Sequence, residues 1–218
     1  MTQVRELDPV VGTAAPSRFD RPAIDKFDAR RAELADAALA TLGELGYART
    51  SLREIAQKTA FSHGVLNYYF RDKVELITFC VRRYKAVCVT RYDAVIAAAG
   101  TAAELTDGFA NALVTTMRED FATHRLWYDL RSQSTFEETL RPTVAELDAQ
   151  LEAMIWRVVQ RYAELLDGRP LVTPLIAYAT FDGLFENCLV RHIGGDASAA
   201  GELSAGAGWL LGTLVRGA

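Results

Sequence analysis

Proline is absent from residues 23–141, although six prolines occur in the rest of the 218-residue chain. An interior proline costs a helix about 3 kcal/mol, so this gap suits a long series of helices. Strict apolar–polar alternation bounded by turn residues is missing too, and no hairpin dipeptide separates β-branched runs. The expectation is an all-α fold. Cysteine is scarce: Cys80, Cys88 and Cys188 form no even set and no C-x-x-C pair. That excludes a disulfide framework and a zinc ribbon. No apolar run approaches the roughly 18–20 residues that a bilayer span needs. The segment Met1–Pro9 lacks the basic and then apolar regions of a secretory leader. A reduced, cytoplasmic protein with no membrane partner is expected.

An excess of positive charge is also missing. Lys and Arg number 24 against 28 Asp and Glu, giving a net charge of −4 and a pI near 5.5. This argues against a non-specific nucleic-acid coat protein, whose domain is normally basic. The average conceals a split. Residues 1–27 are neutral and residues 28–83 carry a net +2, while residues 84–218 carry −6.

Residues 1–27 hold three prolines with little apolar periodicity and read as a flexible arm. Asp28 is placed to cap a first helix whose apolar residues Leu34, Ala38, Leu42 and Leu45 recur at helical spacing and stop at Gly46. Ser51-Leu52-Arg53-Glu54 is a capping box that opens a short helix, and Ser62 caps another that runs to about Tyr69. Asp72-Lys73-Val74-Glu75 opens a long helix expected to reach about Ala97. Further helices are expected over about 102–119, 123–134 and 142–166, then from Pro174 to Gly194 and from Asp196 or Ser198 to the end.

The two short helices, 52–58 and 62–69, are separated only by Thr59-Ala60-Phe61. That is a helix-turn-helix arrangement, in which one helix braces across the DNA backbone and the second enters the major groove by its N-terminal residues. Leu52, Ile55, Ala56, Phe61, Val65 or Leu66, and Phe70 supply an apolar side to pack on the first helix. The polar remainder, Thr50, Ser51, Arg53, His63, Asn67, Tyr68, Tyr69 and Lys73, suits a phosphate-lined groove. Gly64 permits close approach to DNA. Each has a plainer reading. Phe70 reads as core, Arg49 and Arg71 as solvated charges, and Thr50 serves local helix-start geometry as readily as DNA.

The run Gly46-Tyr47-Ala48-Arg49-Thr50-Ser51-Leu52-Arg53-Glu54-Ile55-Ala56 resembles the first half of the signature of the tetracycline-repressor (TetR) family. The continuation from Phe61-Ser62-His63-Gly64-Val65 through Asn67-Tyr68-Tyr69-Phe70 to Lys73-Val74-Glu75-Leu76 resembles the second half. With the preceding helix the resemblance covers about 50 residues. It implies an N-terminal three-helix DNA-binding domain at 28–76 and a C-terminal ligand-binding and dimerisation domain at 77–218. It further implies a homodimer on palindromic double-stranded operator DNA, released by a small-molecule effector. Carried over by position, Arg53, His63, Gly64, Val65 and Asn67 face bases, while Ser51, Tyr69 and Lys73 hold phosphates. Ser62 and Tyr68 join the contact set. Two departures stand out. Ala60 replaces the usual turn glycine, at a cost of about 1–2 kcal/mol if it is left-handed. Asn67 replaces the more frequent tyrosine, and asparagine reads adenine bidentately.

The downstream half supplies pocket candidates: Phe109, Met117, Phe121, Trp127, Tyr128, Arg131, Phe136 and Phe181, with Asp129, Gln133 or Asn187 as polar anchors. Apolar pockets with a few polar groups are the usual small-molecule design, although any one aromatic also reads as ordinary core. Phe181-Asp182-Gly183-Leu184-Phe185 resembles the penultimate-helix segment of family members, where the dimer face lies. Catalytic, metal and cofactor sites are not expected. His63, His124 and His192 fall in no metal spacing, and no phosphate loop or G-x-S-x-G elbow occurs. Cys80 and Cys88 read as small buried hydrophobes. Glu137 and Glu138, being adjacent, point apart on a helix. The leading reading is a ligand-released repressor. An activator or ligand-independent regulator with the same head is the alternative, and an all-α enzyme or carrier is the reading from another class.

Overall fold

The computed structural model describes residues 21–218, with side chains from residue 26 onward. The arm expected at 1–27 therefore lies mostly outside the described residues. Its last part is helical: helix α1 spans Arg21–Leu45, starting seven residues ahead of Asp28. Leu34, Ala35, Ala38 and Leu42 form the buried stripe of α1, each large side chain contributing about 1.5–3 kcal/mol by leaving water. Gly46, at φ 74, ends the helix as its sequence position predicts.

Two short helices follow, α2 (Leu52–Lys58) and α3 (His63–Tyr69). Their caps are those read from the sequence. Ser51 Oγ accepts from the Glu54 amide at 3.2 Å, and Ser62 Oγ accepts from that of Val65 at 3.3 Å. The intervening turn contains no left-handed residue: among the described residues Asp167 is the only non-glycine at positive φ. The strain anticipated at Ala60 is therefore absent, because the turn keeps Ala60 out of the left-handed region.

Helix α4 (Lys73–Cys88) opens with a reciprocal cap, in which Asp72 accepts from the Glu75 amide at 2.8 Å and Glu75 accepts from the Arg71 amide at 2.8 Å. The single long helix expected to reach Ala97 is broken. Residues 89–92 turn and a short helix α5 (Asp93–Ala98) follows. The break lets Tyr92 bury its ring against Phe109, with centroids 5.0 Å apart, and lets Arg91 reach Asp120 at 2.7 Å.

The body continues as α6 (Ala102–Glu119), α7 (Phe121–Gln133), a short 3-10 turn at Glu138–Leu140, α8 (Arg141–Leu165), α9 (Pro174–Ile193) and α10 (Ala199–Leu214). Helix α9 packs between α8 and α10, and α10 also lies along α6. Helix α1 packs on both α4 and α7, joining head to body. The all-α expectation holds apart from one antiparallel pair of two-residue strands, β1 (Arg169–Pro170) and β2 (Val215–Arg216), which ties the end of the chain to the α8–α9 connection.

Gly168 sits beside this pair. A Cβ there would overlap the carbonyl oxygen of Arg216, which is backbone and cannot swing aside. Gly168→Ala is expected to cost about 1–3 kcal/mol of stability by overpacking, read as a lower midpoint in urea. An unchanged midpoint would show that the terminal strand is dispensable.

Candidate nucleic-acid interface and internal cavity

The apolar side of the two-helix unit is buried through Leu52, Ile55, Leu66 and Phe70. The opposite side presents Arg53, Ser62, His63, Gly64, Asn67 and Tyr68, all exposed. Five of the eleven expected DNA-contacting residues, Ser62, His63, Gly64, Asn67 and Tyr68, are thus exposed at the start and outer face of α3, and Arg53 is exposed on α2. Asn67 Nδ2 lies 3.2 Å from the His63 ring, one turn earlier on the helix. A Cβ at Gly64 would meet nothing nearer than the Ser62 hydroxyl at 3.9 Å, so the protein's own packing does not require glycine there. Tyr68 is 74% exposed, while Tyr69 is half-buried against Phe27, with ring centroids 4.8 Å apart.

Other members of the set are differently engaged. Thr50 is buried, and its hydroxyl donates to the Gly46 carbonyl at 2.6 Å. Its side chain therefore stabilises the turn after α1 and does not face outward, which corrects the expectation of a DNA contact. Ser51 and Ser62 spend one acceptor each on helix caps. Val65 is half-buried against the core. The Lys73 ammonium is folded back, 4.3 Å from the Tyr47 ring centre and 3.4 Å from the Tyr47 carbonyl oxygen.

Tyr47 is the fastener between head and body. Its amide donates to Asp129 at 2.6 Å, and its hydroxyl donates to Glu137. Arg125 on α7 donates to the Gly43 carbonyl near the end of α1. Asp129, expected as a pocket anchor, thus serves the junction. So does Glu137, which accepts from the Tyr47 hydroxyl.

A cavity of about 60 Å3 lies inside the body. Tyr128 and Phe181 line it, as expected, and Arg131 borders it through its ion pair with the lining residue Asp182. Phe109, Met117 and Trp127 do not line it. All three are core residues, and Phe109 backs the cavity wall edge-on to Phe181 at 5.5 Å. Phe121 and Phe136 are corrected outright: they are 40% and 84% exposed, the first against His192 and the second on the loop after α7. An aromatic in a helical body is apolar wherever it sits, and composition alone does not say which face of its helix is inward.

Of the thirteen lining residues only Tyr128 and Phe181 were expected; the polar ones among the other eleven are Lys85, Tyr92, Thr116, His124, Tyr178 and Asp182. Burial holds His124 well below the ordinary histidine range, so its ring is neutral. Burial also raises the Tyr128 and Tyr178 phenols, and both donate to aspartates. A signal for Lys85 was present. Ile77, Val81, Lys85 and Cys88 recur at helical spacing on α4, which puts a lysine in an apolar stripe. Cys80, Cys88 and Cys188 are all buried, consistent with small hydrophobes.

These features define a class: a helix-turn-helix head joined through α4 to an all-helical body with an internal cavity. Residues 34–78 match the family described as bacterial regulatory proteins, tetR family. The chain is also 38% identical over 61 residues to the HTH-type transcriptional regulator BetI of Paraburkholderia xenovorans, a match spanning 28% of this chain and 31% of that relative. Over the whole fold, a TetR transcription regulator from Haloarcula marismortui superposes with a TM-score of 0.70 at 15% identity, covering 87% of this chain and all of that one. The ketosteroid transcriptional regulator KstR2 of Mycobacterium tuberculosis superposes with a TM-score of 0.59 at 19% identity, over 86% of this chain and 95% of that one. The sequence likeness to the TetR family is thus carried by the helix-turn-helix head, residues 34–78. No described helix is long and apolar enough to cross a membrane.

Proposed function

We propose that the chain is an operator-specific transcriptional repressor, working as a homodimer and released from DNA when a small molecule fills the body cavity. Its DNA-binding domain occupies residues 28–76 and its effector and dimerisation domain residues 77–218. The observation that carries this reading is the outward face of α3. Its polar residues and Gly64 have little structural work within the protein and are arranged around a helix start of groove-entering type.

Dimerisation is supported by α9 and α10. Leu175, Ile176 and Val190 on α9 and Trp209 on α10 are large, apolar and exposed, and Gly183 and Ala179 on the same side of α9 leave room for another helix. A two-fold pair would set the α3 helices about one DNA turn, ~34–36 Å, apart and so select a palindrome. Effector release is supported by α4. Lys73 at its start contacts Tyr47 at the head–body junction, and Lys85 three turns later lines the cavity. An effector with different affinities for two positions of α4 would shift the spacing of the heads.

Mobility-shift titration against the DNA flanking the chain's own gene tests the reading. A palindromic fragment should bind at least about a thousandfold tighter than a random fragment of equal length. Asn67→Ala should change which palindromes are preferred, while Arg53→Ala should weaken them. Equal affinity for random DNA would overturn operator specificity.

A further inference from the structure

The polar groups around the cavity are almost all paired. Tyr128 Oη donates to Asp182 Oδ1 at 2.9 Å, and Arg131 holds the other oxygen of that carboxylate. Tyr178 Oη donates to Asp148 Oδ1 at 2.6 Å, and Arg131 reaches Asp148 Oδ2 at 3.3 Å. Tyr84 Oη lies 2.9 Å from His124 Nε2, and Thr116 Oγ1 accepts from Arg91 at 2.6 Å.

Lys85 is different. It is 2% exposed, and its ammonium has no hydrogen-bond or ion-pair partner among the described residues. Its ammonium lies over the faces of Trp127 and Tyr84, with ring centres at 4.9 and 5.8 Å. Burial pulls its pKa down to about 8, so at neutral pH the group is still mostly protonated. A buried charge costs several kcal/mol of lost hydration, and contact with aromatic faces offsets only about 0.5–2 kcal/mol of that. Asp182 and Asp148 offset the Lys85 charge only from a distance, each being held by Arg131 and a phenol, so no acceptor touches the ammonium itself.

We propose that the cavity takes a compact monoanion, a carboxylate on a small apolar or aromatic body, with the carboxylate paired to Lys85. The proposal rests on the effector reading of the cavity and narrows it to a ligand class. The remaining wall fits the apolar body: Leu113, Leu151, Met154, Ile155, Phe181 and Phe185. Aromatic walls with an aspartate also fit a cation, but two features disfavour one. Lys85 repels it, and both carboxylates at hand, Asp182 and Asp148, are already held by Arg131 and a phenol each.

Calorimetric titration of the full chain, without DNA, tests this with five probes: butyrate, benzoate, their neutral amides, and tetramethylammonium. At least one carboxylate should saturate at one per chain and bind at least about tenfold tighter than its amide. Lys85→Met should remove that preference while raising the melting temperature, because it deletes an unpaired buried charge of similar volume. Lys85→Arg, which keeps the charge, should retain the preference. The proposal is overturned if amides match carboxylates, if no carboxylate saturates, if tetramethylammonium binds tightest, or if Lys85→Met leaves carboxylate affinity intact. A carboxylate that binds through Lys85 but leaves operator affinity unchanged overturns the effector reading and keeps the ligand assignment. Operator release by a neutral compound alone does the reverse.

Discussion

Gly64→Leu is expected to weaken operator binding by at least about a hundredfold while making the protein slightly more stable. The two effects have separate causes. Inside the protein the space beside Gly64 is open, the nearest atom to an added Cβ being the Ser62 hydroxyl at 3.9 Å. Gly64 is the second residue of α3, and replacing glycine by leucine in a helix gains up to about 1 kcal/mol of propensity. Outside the protein, a leucine at this position would stand between the helix start and the groove that the helix enters. Lifting the helix away removes base contacts worth about 1–3 kcal/mol each, and a hundredfold loss corresponds to only about 2.7 kcal/mol. A mobility shift and a thermal melt on the same preparation suffice. Unchanged DNA binding would mean that α3 does not lie in the groove by its N-terminal end.

The head was largely legible because its signals are local. A serine cap, the residue it bonds three positions on, and a short apolar spacing lie within a few residues of each other, and Ser51, Ser62 and Asp72 all act as their positions predict. Thr50 shows the limit. Its hydroxyl is polar like its neighbours', yet the turn after α1 points it inward to the Gly46 carbonyl. The break in α4 was not legible. No proline or glycine marks residues 89–92, and the helix stops there because Tyr92 and Arg91 find partners on α6 and at Asp120, remote in sequence. The cavity was least legible, since its lining comes from α4, α6, α7, α8 and α9 together. Lys85 was hidden by its neighbourhood: Arg82-Arg83-Tyr84-Lys85 reads as a solvated basic run, and only the helical phase with Ile77 and Val81 turns that one lysine inward.

Phe109 and Phe136 carry the same lesson into energetics. From the sequence both are aromatics in the apolar, acidic half and equal candidates for a pocket. In the fold Phe109 is fully buried, edge-on to Tyr92 at 5.0 Å and to Phe181 at 5.5 Å, and Phe136 is 84% exposed. Phe109→Ala is therefore expected to cost about 3–5 kcal/mol, from lost burial plus the void left behind. For a chain of this size that lowers the melting temperature by roughly 6–20 °C. Phe136→Ala should change stability by no more than about 0.5 kcal/mol. The pair also separates wall from lining. Because Phe109 supports Phe181 from behind without lining the cavity, its loss should loosen carboxylate binding only through Phe181. In the Phe109→Ala protein the carboxylate should therefore still be preferred over the amide by the same ratio, even where both bind more weakly. A changed ratio would mean that Phe109 helps to set the charge preference assigned to Lys85, and equal melting of the two alanine variants would show that Phe109 is not a core residue.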